Sequence, residues 1–151
     1  MEGLQKRQAS AFRKNDYILL KGQICKILEM STSKTGKHGH AKVHFQSVNI
    51  ETKKNVNYLC SSTDKLDYVD GKKEKLGLIS TDPKRGTFSV VDKKNREAPD
   101  ISYDHEDSES PLAKIAKKFE SLEDDEEIIL SVMTVAGNRI VYAHSVQKLK
   151  M

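Results

Sequence analysis

Residues 23–48 read QICKILEMSTSKTGKHGHAKVHFQSV. At either end, QICKILEM (23–30) and AKVHFQSV (41–48) are short runs rich in β-branched and aromatic side chains with apolar and polar positions interleaved, the pattern of half-buried strands. The middle is different. STSKTGKHGHAKVHF (31–45) holds three lysines, three histidines and two glycines, no carboxylate, and only two large apolar residues, both at its end. No core can be built from that composition, so the stretch reads as two strands joined by a basic hairpin tip.

Working outward, DYILL (16–20) and NVNYLC (55–60) are further strand-like runs, set off by the turn signals KG and ETKK. Four or five short strands in about sixty residues imply a small closed barrel, because an open sheet that narrow would leave its edges unpaired. Residues 1–14 are expected as a tail, 15–70 as the barrel, and SSTDKLDYVDGKKEK (61–75) as the connector that ends it.

The pattern then restarts. LGLIST (76–81), a DPKRG turn (82–86) and TFSVVD (87–92) precede the single convincing helix. Ser110 suits its N-cap and Pro111 its first position, while Leu112, Ile115, Ala116 and Phe119 form one apolar stripe, placing it near 110–121. Asp104, Glu106, Asp107 and Glu109 lie just ahead of it, where negative charge favours the helix dipole. EIILSVMTV (127–135), a turn through Gly137-Asn138 and RIVYAHSV (139–146) close the chain as a hairpin. Three strands, a helix and two strands is the order of an OB-fold, expected here over 71–151.

Composition agrees with two thin cores. The 151 residues are 36% hydrophobic and 32% charged, with no Trp. The net charge of +4 conceals a split: residues 1–73 carry 14 Lys and Arg against 7 Asp and Glu, whereas residues 74–151 carry 12 against 15. The first half is thus the one expected to meet a polyanion. MEGLQKRQASAFRKND has no apolar core of a signal peptide, and no run of eighteen apolar residues follows, so a soluble intracellular protein without a membrane span is expected. Cys25 and Cys60 each sit within an alternating run and read as buried free thiols.

Three chemistries for the loop can be weighed. A phosphate-binding loop needs a glycine five positions before its Gly-Lys and a Ser or Thr after it, but those places hold Ser31 and His38. His38, His40 and His44 alternate as chelators on one side of an extended segment would, yet no fourth ligand is near and Gly39 loosens the geometry, so no metal is expected. No nucleophile, base and orienting group can be assembled into a catalytic set. What remains is either a solvated loop whose Lys34, Lys37 and Lys42 aid solubility, or a presented lysine. Gly36 and Gly39 permit positive φ and strip bulk from around Lys37, which suits modification or entry into a narrow nucleic-acid crevice.

STSKTGKHGHAKVHF closely resembles the hypusine loop of the eukaryotic translation initiation factor 5A family, a relative of archaeal homologues and bacterial elongation factor P. RKNDYILLKGQICKILEM (13–30) and NIETKKNVNYLC (49–60) resemble the flanks of that loop in the family's first domain. Beyond Cys60 the agreement is in element order, with SSTDKLDYVD standing where the family has a proline-containing segment. The resemblance implies an all-β chain, an SH3-like barrel followed by an OB-fold. It also implies that Lys37 receives a 4-aminobutyl group from spermidine through deoxyhypusine synthase and is then hydroxylated by deoxyhypusine hydroxylase, with no other cofactor. Ser33, Lys34, Thr35, Gly36, His38, Gly39, His40 and Lys42 would shape the loop for those enzymes and for RNA. The implied partners are the ribosome, through rRNA and ribosomal proteins, and the acceptor end of P-site tRNA, with no membrane and no small-molecule substrate. The implied role is non-enzymatic: promoting peptide bonds at stalled sites such as proline runs, and termination, in the cytoplasm, with the nucleus as a second compartment. The rival reading is a general single-stranded RNA binder, or a specialised paralogue, whose loop lysine stays unmodified; Phe88, Tyr103 and Tyr142 would be its stacking residues or else part of the core.

Overall fold

The computed structural model describes residues 2–34 and 41–149. It divides into two units: the chain up to Lys72 with Val135–Asn138, and Lys73–Thr134 with the chain from Arg139 onward.

In the first unit, β1 (Leu4–Gln8), β2 (Tyr17–Leu20), β3 (Gln23–Lys34), β4 (Ala41–Asn49), β5 (Asn55–Ser61) and β6 (Lys65–Val69) make one antiparallel sheet in the order β1-β6-β2-β3-β4-β5. The KG turn between β2 and β3 has positive φ at both Lys21 and Gly22, as a two-residue turn matched to strand twist requires. The sheet wraps around one core. Phe12, Ile18, Leu20, Cys25, Ile27 and Phe45 are fully buried in a single cluster fed from β2, β3, β4 and the 3-10 turn Ala9–Ala11. Its two edges also meet, because just past β1 the amides of Ala9 and Ser10 donate to the carbonyls of Asp64 and Ser62, just past β5.

Two boundaries differ from expectation. The supposed tail contains β1 and a 3-10 turn whose Ala9, with Phe12 just after it, is fully buried. The supposed connector contains β6 and the start of the next strand. Neither β1 nor β6 carries a clean apolar alternation. Their ladder is reinforced by polar contacts, with the Arg7 guanidinium 3.7 Å from the centre of the Tyr68 ring and Lys6 Nζ 3.1 Å from Asp67.

The second unit has β7 (Lys72–Asp82), β8 (Thr87–Val91), β9 (Glu97–Ser102), α1 (Pro111–Glu120), β10 (Glu126–Val135) and β11 (Asn138–Lys148), with sheet order β11-β10-β7-β8-β9. This is the expected strand and helix order of an OB-fold. Pro99, which has no amide to donate, sits on the edge strand β9. At the other edge, Arg139 of β11 donates to the Pro99 carbonyl at 2.6 Å and to that of Asp100, so the sheet closes into a barrel. The Ser110 hydroxyl accepts from the Ala113 amide and caps α1 as expected. The acidic residues before α1 act locally instead: Asp104 and Asp107 accept from the amides of Glu106 and Glu109, and no acidic side chain lies in the first turn. Ile115 and Ala116 face a core built around Leu76, Phe88, Ile128, Leu130 and Val132. The last hairpin turns at Ala136-Gly137, both at positive φ, one residue before the expected pair.

Candidate functional site

The hairpin of β3 and β4 carries the loop. Pairing runs from Cys25↔Asn49 outward through Met30↔Phe45, Ser31↔His44 and Ser33↔Lys42 to Lys34↔Ala41, with a bulge at Leu28. Its two arms are held unequally. In β4, Val43, Phe45 and Ser47 are buried, and the Ser47 hydroxyl donates to the Val56 carbonyl at 2.6 Å. In β3, all of Ser31–Lys34 is exposed. β4 is therefore anchored by the core and by pairing with β5, while the outer end of β3 rests on its ladder with β4.

Among the expected site residues, Ser33, Lys34 and Lys42 are exposed on this stem. Thr35, Gly36, Lys37, His38, Gly39 and His40 lie outside the described residues, between the last stem pair. Because side chains alternate along a strand and paired residues share a face, Lys34 and Lys42 put positive charge on opposite faces of the stem. His44 sits between Ser31 and Leu59 on the face of Lys42.

Both cysteines are buried and unbridged. Burial pushes the Cys25 thiol up in pKa, only partly offset by a hydrogen bond with Ser47. Burial also raises Cys60, helped by the Asp64 carboxylate and opposed by the Lys42 cation. Thiols held in this way are poor nucleophiles and poor metal ligands. In the ETKK turn, Lys53 donates to the Ile50 carbonyl at 2.6 Å, and desolvation lowers its pKa from the ordinary lysine value.

The aromatic candidates separate. Phe88 is fully buried, and Tyr103 packs on it with ring centres 4.8 Å apart. Tyr142 is half-exposed on β11. It lines an open groove with Lys73, Lys75, Lys93, Lys94 and Arg96, all but Lys73 belonging to the half that is acidic by count. The stretches KKEK (72–75) and DKKNR (92–96) were its only sequence signal.

Residues 5–64 match the family described as "Translation initiation factor 5A-like, N-terminal". The chain is 36% identical over 142 residues to eukaryotic translation initiation factor 5A-1 of Caenorhabditis elegans, covering 93% of this chain and 83% of that protein. A 73-residue stretch is 52% identical to the Drosophila melanogaster factor 5A, spanning 48% of this chain and 46% of that one. In structure the chain resembles a translation initiation factor 5A family protein from Naegleria fowleri, with a TM-score of 0.74 at 24% identity over 97% of this chain and 99% of that one. It also shares its fold with the Methanococcus jannaschii protein, at a TM-score of 0.57 and 15% identity over 98% and 96%. The expected SH3-like barrel and OB-fold therefore stand, and with 36% identity across nearly the whole chain, this protein belongs to the eukaryotic translation initiation factor 5A family.

Proposed function

We propose that the protein is a hypusine-carrying translation factor, acting through Lys37. The observation that carries this reading is the stem: a hairpin anchored through β4, with exposed cations on both faces, ending at the sequence Gly36-Lys37-His38-Gly39. In the proposed modification, the Lys37 amine takes a 4-aminobutyl group from spermidine through deoxyhypusine synthase, and deoxyhypusine hydroxylase completes the side chain. The lengthened arm has two cationic nitrogens and reaches further than any coded residue. It can follow a sugar-phosphate contour that excludes the broad guanidinium of Arg.

On the ribosome, the first unit would lie beside P-site tRNA and set the arm against its acceptor end. Ordering that end promotes slow peptide bonds, such as those in proline runs, and termination. Positioning supplies the effect, so the protein itself provides no catalytic acid or base. Ser33, Lys34 and Lys42 of the stem, with the remaining basic residues of the first half, add a salt-dependent attraction to rRNA. Such a role places the protein in the cytoplasm.

Two measurements test this. Intact mass and peptide mapping of protein from its own cells should find the hypusine increment on Lys37 and not on Lys34 or Lys42. In a reconstituted assay on a proline run, Lys37→Arg should abolish stimulation although it keeps the charge, while Lys26→Ala with Lys54→Ala should weaken ribosome binding and retain stimulation at saturation. Full activity of Lys37→Arg would overturn the reading in favour of a general RNA binder.

A further inference from the structure

Lys73 and Lys75 are two residues apart near the start of β7, and so share a face of that strand. With Lys93, Lys94 and Arg96 of the turn between β8 and β9, and Tyr142 of β11, they line an open groove of about 590 Å³. The turn is tied to itself. Asp92 accepts from the amides of Lys94 and Arg96 at 2.8 and 3.0 Å, its own amide donates to the Arg96 carbonyl at 2.9 Å, and Asn95 takes a positive φ. The cations of the turn are therefore fixed at their roots before any ligand arrives, which lowers the ordering cost of binding. Lys73 Nζ lies 6.0 Å from the Tyr142 ring centre, so the ring backs another of these cations.

Charge, side-chain type and shape together select the ligand. Glu74 and Asp92 are the carboxylates of the groove, and setting five cations against two anions leaves a surplus of three positive charges. A phosphomonoester carries about 1.5 to 2 negative charges at neutral pH, so two such groups meet that surplus. Four of the five cations are lysines, compact ammonium charges that suit the dense charge of a phosphate. The planar fork that recognises a carboxylate belongs to Arg96, and its Nε is held by Asp92 at 3.0 Å, which disfavours an acidic peptide. The cations surround a single concavity of small-ligand size. Among the described residues that line it there is one aromatic ring, whereas a nucleic-acid strand needs successive stacking platforms.

We propose that this groove binds a compact polyphosphorylated ligand, an inositol ring bearing several phosphomonoesters, with Lys73, Lys75, Lys93 and Lys94 on the phosphates and Tyr142 as a wall. The site is separate from Lys37 and goes beyond the loop-based function. The test uses the full chain made in a host without the modifying enzymes, so that failure of the Lys37 reading cannot affect it. Inositol hexakisphosphate is titrated calorimetrically at ~0.15 M salt, where distant surface charges are largely screened, and should bind at a single site. Lys93→Ala with Lys94→Ala should weaken binding by ~10-fold or more, and Glu74→Gln should tighten it by ~2-fold or more. Lys114→Ala with Lys117→Ala on α1 should leave affinity unchanged. In amide spectra of the unaltered protein, shifts on titration should cluster at 73–75, 92–96 and 142, a readout independent of how any variant folds. A second arm separates two sources of the same chemistry. Retention on phosphatidylcholine vesicles carrying phosphatidylinositol bisphosphate, but not on phosphatidylserine vesicles of equal charge, would assign the ligand to a lipid headgroup; binding of the hexakisphosphate without vesicle retention would assign it to a soluble inositol phosphate. No binding in either arm, unchanged affinity in the Lys93 and Lys94 variant, equal loss from the α1 pair, tighter binding of a uridine oligonucleotide of equal charge, or shifts confined to the first unit would each overturn the proposal.

Discussion

Cys25 and Cys60 show how a single side chain reads its surroundings. Both thiols are buried, and burial lifts both above their ordinary value of 9.0. In the native protein neither should react with a disulfide reagent at neutral pH, and both should react once the chain is unfolded; rapid native labelling would contradict the burial. The linkage has a definite sign. A folded-state pKa raised above the unfolded value contributes stability below pH 9.0 that is lost as pH climbs through the folded value, because the unfolded chain releases protons the native state keeps. Urea midpoints should therefore fall on the alkaline side of 9.0, and less so in Cys25→Ala with Cys60→Ala. Gly86 is a second single-residue constraint. Its φ is +68°, and a Cβ there would lie 2.6 Å from the Tyr103 carbonyl and 2.7 Å from His105 Nδ1. Gly86→Ala should cost about 1–3 kcal/mol by chemical denaturation through backbone strain alone, with the close contacts adding to it. A variant as stable as the parent would show that the turn can relax.

At the scale of elements, the β3–β4 hairpin divides labour between its arms, with β4 held by Val43 and Phe45 and the outer part of β3 exposed. Loop substitutions should therefore leave the stem intact. Gly39→Val is expected to block modification of Lys37 while circular dichroism and the thermal midpoint stay near those of the parent, since a β-branched residue narrows the backbone choices open to glycine and a glycine has no side chain whose contacts could be lost. Normal modification of Gly39→Val by purified synthase and spermidine would sink the backbone argument. The strands at 16–20, 23–30, 41–48 and 55–60 and the capped helix were legible because each carries its own signal: apolar alternation, turn dipeptides, or Ser-Pro before an apolar stripe. β1 and β6 were not. Their side chains are largely charged or only half-buried, so the period that marks a strand is missing, and their pairing is held by backbone bonds and the Arg7–Tyr68 contact.

Across the whole molecule there are two separate cores, one around Phe12 and Phe45 and one around Phe88 and Leu130. Phe45→Ala should cost about 3–5 kcal/mol and remove hydrogen-exchange protection from β2–β5, while leaving β7 and β8 protected; Phe88→Ala should do the reverse. Loss of protection across all strands from either change would show that the cores fold as one. The two-barrel order, the capped helix and the glycine-flanked Lys37 were set by the sequence itself, because turns, caps and hydrophobic periods are local and each residue type carries its own conformational preference. Tertiary structure alone decided where the edges close, through Ala9 and Ser10 on one barrel and Arg139 on the other. It also decided which aromatic rings are core, and that Lys75, Lys93, Lys94 and Arg96, all in the half that is acidic by count, share a groove with Lys73 and Tyr142. These are long-range contacts, and net charge sums over a chain without recording which side chains its folding brings to one face.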